Sequence, residues 1–97
     1  MKKNNVKVRT KKIQFALHAG DAKNVSLVGD FNNWNPDADP MENDGNGAWT
    51  KTKRLSAGDI EYKFLVDGQW VEDPNNLRVC TNCYGTFNNI VRIIIRS

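Results

Sequence analysis

A chain of 97 residues, 39% hydrophobic and 26% charged, is sized for one domain with a single modest core. It has no room for a catalytic barrel of ~250 residues and no apolar run that could span a bilayer. The formal net charge of +3 is unevenly placed: six basic residues fall in the first twelve positions, whereas residues 13–97 carry eight basic and eleven acidic ones. The body therefore has no basic stripe for nucleic acid, and residues 1–11 read as a flexible basic arm before a domain at 12–97. "MKKNNVKVRTKKI" lacks the apolar stretch of a secretory signal, so no membrane contact and a cytoplasmic location are the expectations.

From there strict alternation recurs, with no helical period. "IQFALHA" puts Ile13, Phe15 and Leu17 on one face, a strand with one wet side. "NVSLVGD" is a second strand that stops at the turn signal Gly29-Asp30. The loop that follows, "FNNWNPDADP", sets Trp34 among turn formers that offer it little cover, while Phe31 is read as a plug beneath the loop. "NDGNG" reverses the chain into "AWTKTKRL", where Trp49 is read as core. "IEYKFLVDGQWVED" is the clearest hairpin: Ile60, Tyr62, Phe64 and Val66 share one face, and Asp67-Gly68 supplies the positive φ angles of a two-residue turn. Lys63 points outward from mid-strand, and Trp70 begins the returning strand. "FNNIVRIIIR" closes the chain. Six to eight short strands predict an all-β sandwich with Phe15, Leu17, Leu27, Trp49, Tyr62, Phe64, Ile90 and Ile93 in its core.

Several motifs point to no chemistry of their own. Cys80-Thr81-Asn82-Cys83 is half of a zinc site, with His18 the only histidine and no helix following for a thioredoxin-like setting. Two ordinary thiols in a loop are expected, with a redox-sensitive bridge as the alternative. "ENDGNGAWTK" echoes a calcium loop, but Lys53 stands where the bidentate glutamate belongs. The carboxylates form no recognisable acid/base pair, so no enzyme and no cofactor are expected.

What remains is a set of aromatics, amides and a lysine on outward faces. Flat rings cover the C–H faces of sugars, and Asn, Thr and Lys exchange hydrogen bonds with their hydroxyls. "VSLVGDFNNWNP", "GDIEYKFLVDGQWVEDP" and "YGTFNNIVRI" together resemble the glycogen-binding domain of AMP-activated kinase β subunits and, more broadly, the family-48 carbohydrate-binding modules. The resemblance covers about residues 11–96 and implies an immunoglobulin-like, early-set β-sandwich that binds α-1,4-glucans without catalysis. It implies that Trp34 and Trp70 stack on glucose rings, that Lys63 bonds sugar hydroxyls, and that Thr86 and Asn88 are polar contacts. Tyr84 departs from the pattern, standing where the mammalian subunits insert a leucine into the glucan's curve; an aromatic there adds a third surface or blocks the bend. The implied partners are an α-glucan and a glycogen-metabolising enzyme or kinase in trans. The alternative is a scaffolding module with the same sandwich that has lost sugar binding.

Overall fold

The alternating segments become strands in the computed structural model, which describes residues 9–96. These are β1 (Lys11–His18), β2 (Val25–Gly29), β3 (Glu42–Asn43), β4 (Ala48–Leu55), β5 (Gly58–Val66), β6 (Gln69–Val71), β7 (Val79–Thr81) and β8 (Phe87–Ile93), with one 3-10 turn at Asp30–Asn32. The basic arm lies, up to residue 8, outside the described residues. β1, β4 and β3 form one antiparallel sheet in that order. The other runs β2-β5-β8-β7, with β6 also on β5. β2 takes one edge of β5 at residues 62–66, so β8 (at 58–62) and β6 (at 64–66) follow one another along the other edge.

The inner faces of the two sheets close on one core, which makes the all-β sandwich expected from the strand pattern. Phe15, Leu17, Trp49 and Leu55 come from the smaller sheet; Val25, Leu27, Tyr62, Phe64 and Ile93 come from the larger. Phe15 meets Tyr62 edge-on at 4.8 Å, and Phe31 plugs the loop end 5.8 Å from Phe15. Each of the fully buried side chains stabilises the fold by about 1.5–3 kcal/mol.

One expected core residue lies elsewhere. Ile90 is opposite Glu61, on the face of β8 turned away from the core, whereas Asn89 is opposite Tyr62 on the inner face. With a period of two, Ile90 and Ile93 cannot share a face. Asn89 is fully buried because the loop after β6 needs it. Its Oδ1 accepts from Asp73 N (2.7 Å) and its Nδ2 donates to Asn76 O (3.0 Å). Tyr62 adds to the same knot, donating to Asp73 Oδ2 at 2.7 Å and accepting from Asn76 Nδ2 at 3.0 Å. Burial drives its phenol far above the ordinary range.

A second polar knot ties the loop after β2 to the smaller sheet. Asp39, buried, accepts from Asn32 Nδ2 (2.8 Å) and Lys53 Nζ (3.1 Å), with Lys51 Nζ at 3.9 Å. Burial pushes this carboxyl up, but the Asn32 amide and the two ammonium groups outweigh it and hold it below its ordinary value. A depressed carboxyl stabilises the fold above its unfolded pKa and loses that contribution as pH falls through the folded one. Asp39→Asn is therefore expected to cost about 1–2 kcal/mol at neutral pH. The gap to wild type in thermal midpoint should begin to close only below about pH 4, the ordinary carboxyl value, and should vanish once the pH has fallen through the lower value of the folded carboxyl. A gap that stays constant into acid would show that the charge contributes nothing.

Candidate functional site

The candidate site is built on the outer face of the larger sheet, where Glu61, Lys63 and Leu65 project away from the core. Cross-strand partners share a face, so Val28 stands beside Lys63, Trp70 beside Leu65 and Asn88 beside Cys80.

Trp34 reaches this face through an unusual turn. Gly29 is needed at its root because a Cβ there would meet Glu61 O at 2.5 Å and Tyr62 Cβ at 2.9 Å. After the 3-10 turn, Asn33 (φ 55°) and Trp34 (φ 58°) are both left-handed. Asn accepts that conformation readily; Trp does so at a cost of about 1–2 kcal/mol. Bonds around it offset the strain. Trp34 N donates to Gly29 O (2.9 Å), and its indole Nε1 donates to Asp30 Oδ1 (2.9 Å). Asp30 Oδ2 in turn accepts from Glu61 N at 2.8 Å, which pins the indole to β5.

Trp70 arrives by the expected hairpin. Asp67 (φ 47°) and Gly68 (φ 83°) make the turn, and the Asp67 carboxylate accepts from the backbone N–H of Asn24 at 2.8 Å. Trp70 is 51% exposed. Its ring centroid lies 6.4 Å from that of Trp34, with the planes at 61°, so the two indoles form the walls of an open angle.

Between and beside them is a cavity of about 780 Å³. All six residues singled out from the sequence line it: Trp34, Lys63, Trp70, Tyr84, Thr86 and Asn88. Lys63 differs from a surface lysine in being only 7% exposed. Its Nζ donates to Thr86 Oγ1 at 3.3 Å, and among the described residues it has no ion pair. Asn88, also buried, donates from Nδ2 to Glu61 Oε1 at 3.0 Å. Tyr84 is the opposite case, 86% exposed on the turn between β7 and β8.

Glu72, Asn82 and Cys83 line the cavity as well, and sequence reasoning passed over them. Glu72 was within reach, because it shares the parity of Trp70. Asn82 carries the Asx-turn signal, its Oδ1 accepting from Tyr84 N at 2.9 Å. Cys80 lies in β7 and not in a loop; burial and the neighbouring Glu61 push its thiol up. Cys83 is exposed in the turn, and both thiols are free. Among the described residues no group of three or more His, Cys, Asp or Glu could hold a metal ion.

Residues 11–96 match the family described as the glycogen recognition site of AMP-activated protein kinase. The chain belongs to this family. The β-1 subunit of 5'-AMP-activated protein kinase from Sus scrofa is 42% identical over 74 residues, 76% of this chain and 57% of that one. The Rattus norvegicus β-1 subunit is 39% identical over the same length, and there the match covers 26% of the relative. The Mus musculus β-2 subunit is 39% identical over 71 residues, 73% of this chain and 25% of its own. The matched segment thus spans between a quarter and somewhat over half of these relatives. Non-catalytic sugar recognition at the level of the family is what the chain shares with them.

Proposed function

We propose that the protein is a non-catalytic module that binds α-1,4-glucans in the cavity on its outer sheet face. The observation that carries this reading is the pair of angled indoles beside a buried ammonium that has no ion pair among the described residues. An α-1,4 chain curves, so successive glucose rings present their C–H faces at changing angles. Walls inclined at 61° suit such a chain better than the flat ribbon of a β-1,4 glucan. Trp34 and Trp70 stack on glucose rings, Lys63 donates to hydroxyl oxygens, and Thr86 and Asn88 complete the polar contacts. Tyr84, standing clear of the fold, closes over the glucan as a third surface.

The affinity follows from opposing terms. Each indole covers ~150–250 Å², worth several kcal/mol gross for the two at ~25 cal/mol/Å². Ordering a flexible oligosaccharide and stripping water from its hydroxyls removes most of that, which leaves a Kd on the order of 10 µM to 1 mM. A module of this strength suits tethering, and the relatives are subunits named for a kinase; holding a kinase or a glycogen-metabolising enzyme near its glucan is the role that fits. Among the described residues no helix is long and apolar enough to cross a membrane.

Calorimetric titration with maltoheptaose, β-cyclodextrin and cellohexaose tests the reading. Binding to the first two and none to the third is the expected outcome. Equal binding to maltoheptaose and cellohexaose would remove the argument from curvature, and binding to neither would leave the scaffolding alternative in its place.

A further inference from the structure

Asn82 sits inside the C-x-x-C stretch, and its side chain makes more bonds in the cavity than any residue of the expected site. Its Oδ1 accepts from Tyr84 N (2.9 Å) and Thr86 N (3.1 Å). Its Nδ2 donates to Thr86 Oγ1 (2.7 Å) and to Asn88 Oδ1 (2.9 Å). Asn88 Nδ2 then donates to Glu61 Oε1 (3.0 Å). A carboxylate only accepts, so Glu61 fixes the direction of this chain of amides: neither Asn88 nor Asn82 can flip without setting oxygen against oxygen.

The direction has a consequence at Thr86. Both lone pairs of its hydroxyl are taken, one by Asn82 Nδ2 and one by Lys63 Nζ. Among the described residues the Thr86 hydroxyl donates to no protein group, so its O–H is left for a ligand. The remaining N–H groups of Lys63 and the second N–H of Asn88 are donors as well. We propose that Asn82 is a positioning residue that sets the hydrogen-bonding polarity of the cavity, making it an array of donors for the oxygen acceptors of the glucan. The proposal rests on the glucan reading for its ligand and on the free protein for its bond pattern.

Asn82→Asp tests it with a substitution of the same shape. The introduced carboxylate keeps both acceptor contacts but turns an oxygen, not an N–H, toward Asn88 Oδ1. Protonated, the new carboxyl regains one donor and again mimics the amide. Maltoheptaose binding by Asn82→Asp should therefore be about tenfold weaker than wild type at neutral pH. The deficit should shrink as the pH falls through the carboxyl's titration. Asn82→Ala should be weaker at every pH, without recovery. The other ionisable groups around position 82 are Glu61 and Lys63 on β5, Glu72 after β6, Asp30 after β2, the Tyr84 phenol, and the thiols of Cys80 and Cys83. They are present in wild type too, so the ratio to wild type at each pH isolates the new group. A deficit that ignores pH, or one that only follows the thermal midpoint, would overturn the proposal.

The second arm needs no ligand. In the free protein, the side-chain amide resonances of Asn88 should move in Asn82→Asp at neutral pH and return to their wild-type positions in acid. If wild type fails to bind maltoheptaose while these shifts behave as stated, the glucan reading fails and the role of Asn82 stands. If the Asn88 amide is indifferent to the substitution, the role of Asn82 is wrong whatever the protein binds.

Discussion

Trp49→Ala is expected to cost about 3–5 kcal/mol of folding stability and to leave the proposed sugar site of the surviving folded molecules unchanged. Trp49 stands opposite Leu17 in the smaller sheet, 6% exposed, on the far side of the core from the cavity. Its indole N–H donates to Ala19 O at 3.0 Å, so truncation opens a large void and takes from that carbonyl one of its two donors, leaving Ala22 N at 3.2 Å. A domain of this size has a total margin near the low end of about 5–15 kcal/mol, so the variant should lose most of it. Urea unfolding checks this through the shift in midpoint at unchanged slope. A loss under about 1 kcal/mol would mean that Trp49 is loosely held and the two sheets do not close on it as described.

The tryptophans of the cavity should behave the other way round. Trp70→Ala is expected to weaken maltoheptaose binding by about 1–3 kcal/mol, or five- to 150-fold in Kd, with the unfolding midpoint nearly unmoved. Trp70 is 51% exposed and its removal opens no core. Trp34→Ala should lose as much binding, but with a visible stability cost, since the half-buried indole is bonded to Asp30. Trp34→Gly separates the two effects. Glycine relieves the left-handed strain at φ 58°, so it should be the more stable of the two variants by about 1 kcal/mol while binding no better. Titration and unfolding of the same preparations check both halves. Full binding by the folded fraction of either alanine variant would place the sugar elsewhere.

Much of this was readable from residue order, for identifiable reasons. The hairpin through Asp67-Gly68 announces itself because alternation and turn chemistry agree over 14 contiguous residues, 58–71. The closing strand does not. In "FNNIVRIII" apolar residues occupy both faces, so the isoleucines do not say which side is inward; the buried amide of Asn89, bonded to Asp73 and Asn76, decides it. The identity of the candidate site residues was accessible because each sits at an outward position or in a polar loop. Their surroundings were not. Lys63 looks like any outward lysine until the Trp34 loop and the β7–β8 turn, distant in sequence, rise beside it. Trp34's left-handed backbone was equally hidden, since an Asn-Asn-Trp run suggests a turn but not which residue bears the strain. Asn82 was masked by its neighbours: a C-x-x-C stretch draws attention to sulfur, while the contacts in the cavity are made by the amide between the two thiols.

The most direct measurement is a nitrogen–proton correlation spectrum of the three indole N–H groups during a maltoheptaose titration. Each reports a different place: Trp49 Nε1 is bonded to Ala19 O in the core, Trp34 Nε1 to Asp30 at the rim, and Trp70 lies open on the outer face. The expected result is saturable movement of the Trp34 and Trp70 signals with one Kd, and a stationary Trp49 signal. Movement of Trp49 alone, or saturating binding that leaves both Trp34 and Trp70 in place, would contradict a glucan site built on the two angled indoles.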